Sequence, residues 1–346
     1  MPSLPKFSLL GALVAATALL ALPAAAGATL VYVKNPMKPS VYAANDNGGG
    51  AFKVGAGRSP KVSPDGDAIS YVRETSNGKQ QLLLAAAAGG GSAVILPNLR
   101  ESFYVTFSPD SKLIAAIRGQ ELGKGTLVLI DVTSGTVLRS VATGYFSGVS
   151  FSPDSTELAY SVAPSEDYPQ HSNVFTATLA AGKPVQITKD GKSLDPLWGP
   201  SEQIVFVKQL DAKSRKYGPK NELYLMNPQG KQVKRLTHTK VDPLLQGLYP
   251  TAWSASGNRL LAEFEGQDTS YAVTVNPSTG AQKPLEKNGN GEQGFVGTAL
   301  SKDGSTVLGF TGGFEPGPNH TVSTIPYAGG KAKTLVKAAS EPDWSR

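Results

Sequence analysis

Three histidines, His171, His238 and His320, and a recurring Ser-Pro-Asp segment are the residues of this 346-residue chain whose types allow chemistry. A histidine beside a serine and an aspartate can activate a nucleophile, and histidines with carboxylates can hold a metal ion. Neither pattern forms along the sequence. No Gly-x-Ser-x-Gly elbow occurs, and "GYFSG" at Gly144 has the wrong spacing. The histidines fall in loops of different segments, without a His-Glu-x-x-His helix, and are expected to be solvated. "DGD" at Asp65 lacks the further carboxylates of a calcium loop. "AAAAGGGSA" from Ala85 lacks the Gly-Lys-Ser/Thr ending of a phosphate loop. The chain has no cysteine, so disulfide and thiol chemistry are excluded. No catalytic residue, metal ligand or cofactor is assigned from the sequence.

The Ser-Pro-Asp segment has another meaning, because it repeats. "VSPDGDAISYV" begins at Val62, "FSPDSKLIAAI" at Phe107 and "FSPDSTELAYSV" at Phe151. Weaker copies begin at Trp198, Trp253 and Leu300. A catalytic residue is needed once, so a motif used this often is architecture. Pro64 fixes φ for the second turn position, Asp65 suits the third, and Gly66 tolerates positive φ at the fourth. The segment therefore reads as a hairpin turn. Ser111 and Ser155 replace that glycine, at an expected cost in strain.

The anchor positions are Ser63, Ser108, Ser152, Gly199, Ser254 and Ser301, spaced 44 to 55 residues apart, with Ser345 as a seventh at the C-terminus. Four short strands fit in each interval, as in "TAW" at Thr251, "IVFV" at Ile204, "ELYLMN" at Glu222 and "VKRLT" at Val233. This period is the signature of a β-propeller. We expect an all-β, seven-bladed propeller of four-stranded antiparallel blades, with six blades as the alternative. The last anchor lacks its continuation, and "LVYV" at Leu30 matches it, so the C-terminal strand is expected to pair with the N-terminal strands. Residues 29–346 are read as this single domain.

Residues 1–28 read as a signal peptide. Lys6 precedes an apolar run from Phe7 to Leu22, and Ala24-Ala25-Ala26 offers a cleavage site. Export to the periplasm or outside a bacterial cell is expected, with membrane association only if that segment stays uncleaved. The net charge of +6 is dispersed, without the basic stripe of a nucleic-acid binder, so no nucleic-acid partner is expected.

"PTAWSASG" from Pro250, "FSPDS" with "LAY" from Phe151, and "NELYLMN" at Asn221 followed by "KRLTH" at Lys234 resemble the TolB-like propeller repeat family, whose repeat is WD40-like with a Pro-Asp pair. The resemblance spans roughly residues 29 to 346. It implies a propeller fold and a periplasmic protein-interaction role. The namesake's additional N-terminal domain is not expected before Leu30, so its specific role does not transfer.

In a four-stranded meander, the Ser-Pro-Asp turns leave one face. The longer, variable connections leave the other, and function concentrates on such loops. That face yields the ligand- or partner-binding candidates Arg58, Phe103, Tyr145, Phe146, Asp195, Tyr249, Phe295 and Glu341. The basic segment Lys208 to Lys220 and the leucines Leu244, Leu245 and Leu248 join the same side. The expected function is a non-catalytic, monomeric scaffold that binds a protein or peptide of the cell envelope. The alternative is a propeller enzyme, a lyase or hydrolase on carbohydrate or lactone, with a metal in the central mouth.

Overall fold

The computed structural model describes residues 29–100, 104–119, 124–165, 171–210, 219–240, 246–266, 269–285, 294–312 and 319–345. The signal segment and Phe103 lie outside them. The chain is all-β, and its strands pair antiparallel in series. Strands β1 (Thr29–Lys34), β2 (Ser40–Asn45) and β3 (Phe52–Ala56) form the first series. Next come β4 (Arg58–Val62), β5 (Ala68–Glu74), β6 (Gln80–Ala86) and β7 (Ser92–Leu99). They are followed by β8 (Thr106–Phe107), β9 (Leu113–Arg118), β10 (Gly125–Asp131) and β11 (Val137–Phe151). The first half of β11 pairs with β10 and its second half with β12 (Glu157–Ala163), so one strand serves two sheets. The β12 series continues through β13 (Asn173–Thr178) and β14 (Val185–Gln186).

Strands β15 (Ser193–Gly199), β16 (Gln203–Leu210), β17 (Lys220–Met226) and β18 (Lys234–Arg235) form another series. So do β19 (Gly247–Trp253), β20 (Leu260–Glu265), β21 (Ser270–Val275) and β22 (Gln282–Pro284). The last are β23 (Val296–Leu300), β24 (Thr306–Thr311), β25 (Thr321–Pro326) and β26 (Lys333–Lys337). Finally β27 (Ala339–Trp344) pairs with β1, setting Trp344 opposite Leu30.

The period-2 pleat explains how these sheets stack. In β1, Val31 and Val33 face one way and pack with Val62, Ile69, Tyr71 and Leu83. Leu30 and Tyr32 face the other way and pack with Val296, Leu308, Phe310 and Val322. Each sheet is therefore apolar on both faces, and the core is a set of layers between neighbouring sheets.

The Ser-Pro-Asp segments are turns, and the structure shows why serine begins them. The hydroxyls of Ser63, Ser108, Ser152 and Ser301 each accept the amide five residues on, at 2.9 to 3.0 Å. Each donates to the carboxylate two residues on, Asp65, Asp110, Asp154 or Asp303, at 2.5 to 2.6 Å. That aspartate is a turn builder. Bonds from Ser301 and Ser305 hold the Asp303 carboxyl down to about 2.

Ser111 and Ser155 do more than tolerate the fourth position. They adopt φ of 62° and 60°, in the left-handed region. From there the Ser111 hydroxyl accepts the amide of Asp65, and the Ser155 hydroxyl accepts that of Asp110, both at 3.0 Å. Each serine thus ties its turn to the turn of the preceding repeat. Left-handed backbone costs about 1 kcal/mol for a non-glycine residue, and a hydrogen bond returns about as much. Ser111→Gly, which loses both, should be near neutral in urea denaturation. Ser111→Ala, which keeps the strain and loses the bond, should be about 1 kcal/mol less stable than Ser111→Gly.

Candidate functional site

The leading strand of nearly every series is bent. Strands β4, β11, β15, β19, β23 and β27 each carry a register shift against their partner. Such a bulge re-aims side chains out of the pleat. In three of them the bulge holds a non-glycine residue at positive φ just before a proline: Ser59 at 51°, Asp195 at 46° and Glu341 at 50°. Asp195 and Glu341 are both among the sequence candidates.

Asp195 lies among acidic groups from the next series. It is enclosed by protein yet keeps some accessible surface. Burial and, secondarily, the nearby charge of Glu265 push its carboxyl up to about 8. Burial pushes Glu263 up to about 7, with Glu265 adding to the shift and a bond from Ser270 opposing it. Burial also raises Glu265. Burial raises the Tyr249 phenol, and Glu265 and Asp195 add to that shift. Tyr249 stands opposite Glu263 in the β19–β20 ladder, and Gly247 opposite Glu265.

Two glycines permit this convergence. Gly148, at φ 112°, approaches so closely that a Cβ there would lie 2.7 Å from Asp195 Cα. Gly247, at φ 120°, would place a Cβ 2.4 Å from the Asn221 carbonyl oxygen. At that contact β17 meets β19, and the Asn221 amide donates to the Gln246 carbonyl at 2.7 Å. The side chain of Asn221 lies near the Tyr249 phenol and opposes its upward shift, and the phenol donates to Gln246 Oε1 at 2.9 Å.

The other candidates divide. Tyr145 is half-buried on β11, with the Arg100 guanidinium 5.9 Å from its ring centroid. Arg58 is exposed, and its neighbour Ser59 donates its amide to Glu341 Oε2 at 2.6 Å. Phe146 turns inward, its ring 5.9 Å from that of Tyr160 in a core layer. Phe295 is completely buried with Leu261, Ala272 and Val307, which leaves it no surface for a ligand. Leu248 is core as well, while Leu244 and Leu245 lie outside the described residues. The ends of the basic segment are neutralised, Lys208 by Asp190 at 2.9 Å and Lys220 by Glu222 at 2.8 Å. Glu263, Glu265 and Asn221 were missed from sequence. Glu263 and Glu265 alternate with apolar residues in "LLAEFE", a pattern that reads equally as an exposed strand face.

Among the described residues, no three His, Asp or Glu side chains lie within reach of one metal ion. The His320 ring nitrogen Nε2 meets the Gly312 carbonyl at 2.9 Å.

The fold is that of TolB-like propellers. TolB from Acinetobacter baumannii aligns with a TM-score of 0.56 and 15% identity, over 91% of this chain and 82% of that one. The β-propeller domain of the Trilobed protease from Pyrococcus furiosus gives 0.64 and 17%, over 90% and 92%. An oligogalacturonate lyase in complex with manganese gives 0.58 and 14%, over 90% and 85%. At these identities the likeness is one of fold, shared by proteins of different activity. No protein-family model and no curated protein sequence matches the chain.

The raised carboxyls make stability depend on pH. A carboxyl whose pKa is higher folded than unfolded holds its proton in the native state after the unfolded chain has released it. Stability from Asp195 is therefore full below its ordinary value of 3.8 and is lost as pH rises to about 8. Urea midpoints of the protein should fall between about pH 4 and pH 8. Asp195→Asn should flatten that slope and exceed the parent in stability at the alkaline end. A slope unchanged in the variant would show that Asp195 does not titrate abnormally.

Proposed function

We propose that the chain is an exported, non-catalytic propeller of seven four-stranded blades that binds a protein or peptide of the cell envelope through its variable-loop face. The cluster of Asp195, Tyr249, Glu263, Glu265 and Asn221 carries this reading. Buried carboxyls without a cation cost stability, and perturbed titrating groups cluster where proteins engage ligands. Asp195, Tyr249 and Asn221 lie near the starts of β15, β19 and β17, and Glu263 and Glu265 at the end of β20, which are the strand ends away from the Ser-Pro-Asp turns. Tyr145 and Tyr249 add aromatic surface of the kind that anchors protein contacts.

Seven blades and ring closure are supported by the order in which leading strands touch. Strand β4 meets β8, β8 meets β11, and contacts continue through β15, β19, β23 and β27 back to β4. The β27–β1 ladder and the packing of Leu30 and Tyr32 on the β23–β26 sheet support the same seam. A closed ring hides the sheet edges that an open row exposes. Deleting residues 339–345 should then remove cooperative unfolding or lower the melting temperature by more than about 10 °C, given that 1 kcal/mol shifts a domain of 150–250 residues by about 2–4 °C. A deletion within about 2 °C of the parent would exclude a closing role.

The binding reading is tested by affinity capture from a native envelope fraction, with the purified protein and a Tyr145→Ala/Tyr249→Ala variant. A specific protein recovered by the parent should fall at least about tenfold with the folded variant, as expected for loss of an aromatic anchor. Equal recovery would remove this face as the binding site.

A further inference from the structure

The junction of β15, β16, β17, β19 and β20 contains acceptors without donors. Asn221 is 1% exposed, its side chain lies near the Tyr249 phenol, and its Oδ1 has no partner. Gln209 stands directly opposite Asn221 in the β16–β17 ladder, and its buried Oε1 is also unpartnered. Directly opposite residues of an antiparallel pair project on the same side, so both carbonyl oxygens belong to one surface. Asp195 and Glu265 approach closely enough to repel each other. Among the described residues no donor or cation pairs with either carboxylate. Leaving a buried acceptor unsatisfied costs about 1–3 kcal/mol, so a native chain that keeps two beside two acidic groups has a reason outside itself.

A ligand matching these acceptors would bring several donors and a positive charge. Lys208 and Lys220, on the strands bearing Gln209 and Asn221, are held by Asp190 and Glu222. They do not fill the cleft. A metal ion needs three or more ligands around one point, and the described acids are not so grouped. A guanidinium spreads five N–H donors over a plane and also stacks on aromatic faces. Two carboxylates, two amide oxygens and the Tyr249 ring suit that shape.

Resting on the binding function proposed above, we infer that this cleft receives a basic side chain of the partner, its donors meeting Asp195, Glu265, Asn221 Oδ1 and Gln209 Oε1. On entry of the cation Asp195 ionises and its proton leaves the site, so binding and proton release are coupled.

Calorimetry of the purified protein near neutral pH tests this with N-acetyl-L-arginine amide, the neutral isostere N-acetyl-L-citrulline amide, and calcium chloride. Buffers of different ionisation enthalpy report proton release. The arginine probe should bind with proton release, and the citrulline probe at least tenfold more weakly. Asp195→Asn and Glu265→Gln should each weaken arginine binding at least tenfold. Asparagine tolerates the left-handed backbone of position 195, so the first variant should stay folded. Equal binding of both amides, or unchanged binding by both variants, would overturn the inference. Calcium binding that Asp195→Asn abolishes, without arginine binding, would overturn it in favour of a metal site. If arginine fails while capture still depends on Tyr145 and Tyr249, the basic-side-chain assignment falls and the binding scaffold stands. If both fail, the functional reading falls too.

Discussion

Every sheet in this protein is apolar on both faces, and that is the constraint from which the rest follows. A strand such as Leu30-Val31-Tyr32-Val33 has no polar side to show to water. Its alternate residues need cover from two directions, and the neighbouring sheets provide it. No series of strands is then stable alone, because each buries its surface only by stacking. The same demand acts on the first and last series, and the packing of Leu30 and Tyr32 on Val296, Leu308 and Phe310 meets it there, with β27 paired to the edge of β1. The turns tie the stack further. Ser111 and Ser155 hold the backbone of the preceding turn, so the repeat is bonded along its rim as well as packed through its faces.

What the sequence made legible was whatever repeats. The Ser-Pro-Asp turns, the strand content and the match between Trp344 and Leu30 were visible because one local rule was written many times. The acidic cleft was not. Asp195 could be named from its position before a shared anchor. Its neighbours Glu263, Glu265 and Asn221 could not, since nothing in "LLAEFE" or "KNELYLM" distinguishes an inward-facing polar residue from a solvated one. The same limit explains Phe295 and Phe146. An aromatic residue beside a loop can cap a core layer or line a mouth, and one step along a pleated strand decides which. The glycines that make room, Gly148 and Gly247, acquire meaning only against the strand of another series.

The strained residues share a device. Ser59, Asp195 and Glu341 sit at positive φ before Pro60, Pro196 and Pro342. Proline restricts the residue before it and disfavours the right-handed helical region there. A bulge at that point turns one side chain out of the ladder. At Glu341 the result is used internally, since its carboxylate accepts the Ser59 amide across the seam. At Asp195 no donor answers among the described residues. One geometry thus serves as a clasp in one series and leaves an open acceptor in another. Strained backbone of this kind persists where the surroundings over-determine it, and such positions concentrate at functional sites.

The acceptor at Asp195 also explains how the empty protein tolerates its own cleft. Two ionised carboxylates this near each other in a partly dry site would repel strongly. Holding Asp195 protonated lowers that cost, because a neutral acid needs less solvation than an anion. The fold therefore tolerates these acids because Asp195 keeps its proton beside the charge of Glu265. A fixed internal lysine would have stabilised the empty state more, but it would have closed the site. In the series formed by β15 to β18 that solution is seen at Glu222, which is buried against Lys220 and Arg235 and accepts the Thr237 and Thr239 hydroxyls. Glu222 is finished as a structural ion pair. Asp195, on the same sheet, is not, and the difference between the two acids separates a charge that holds this protein together from a carboxyl that no cation among the described residues answers.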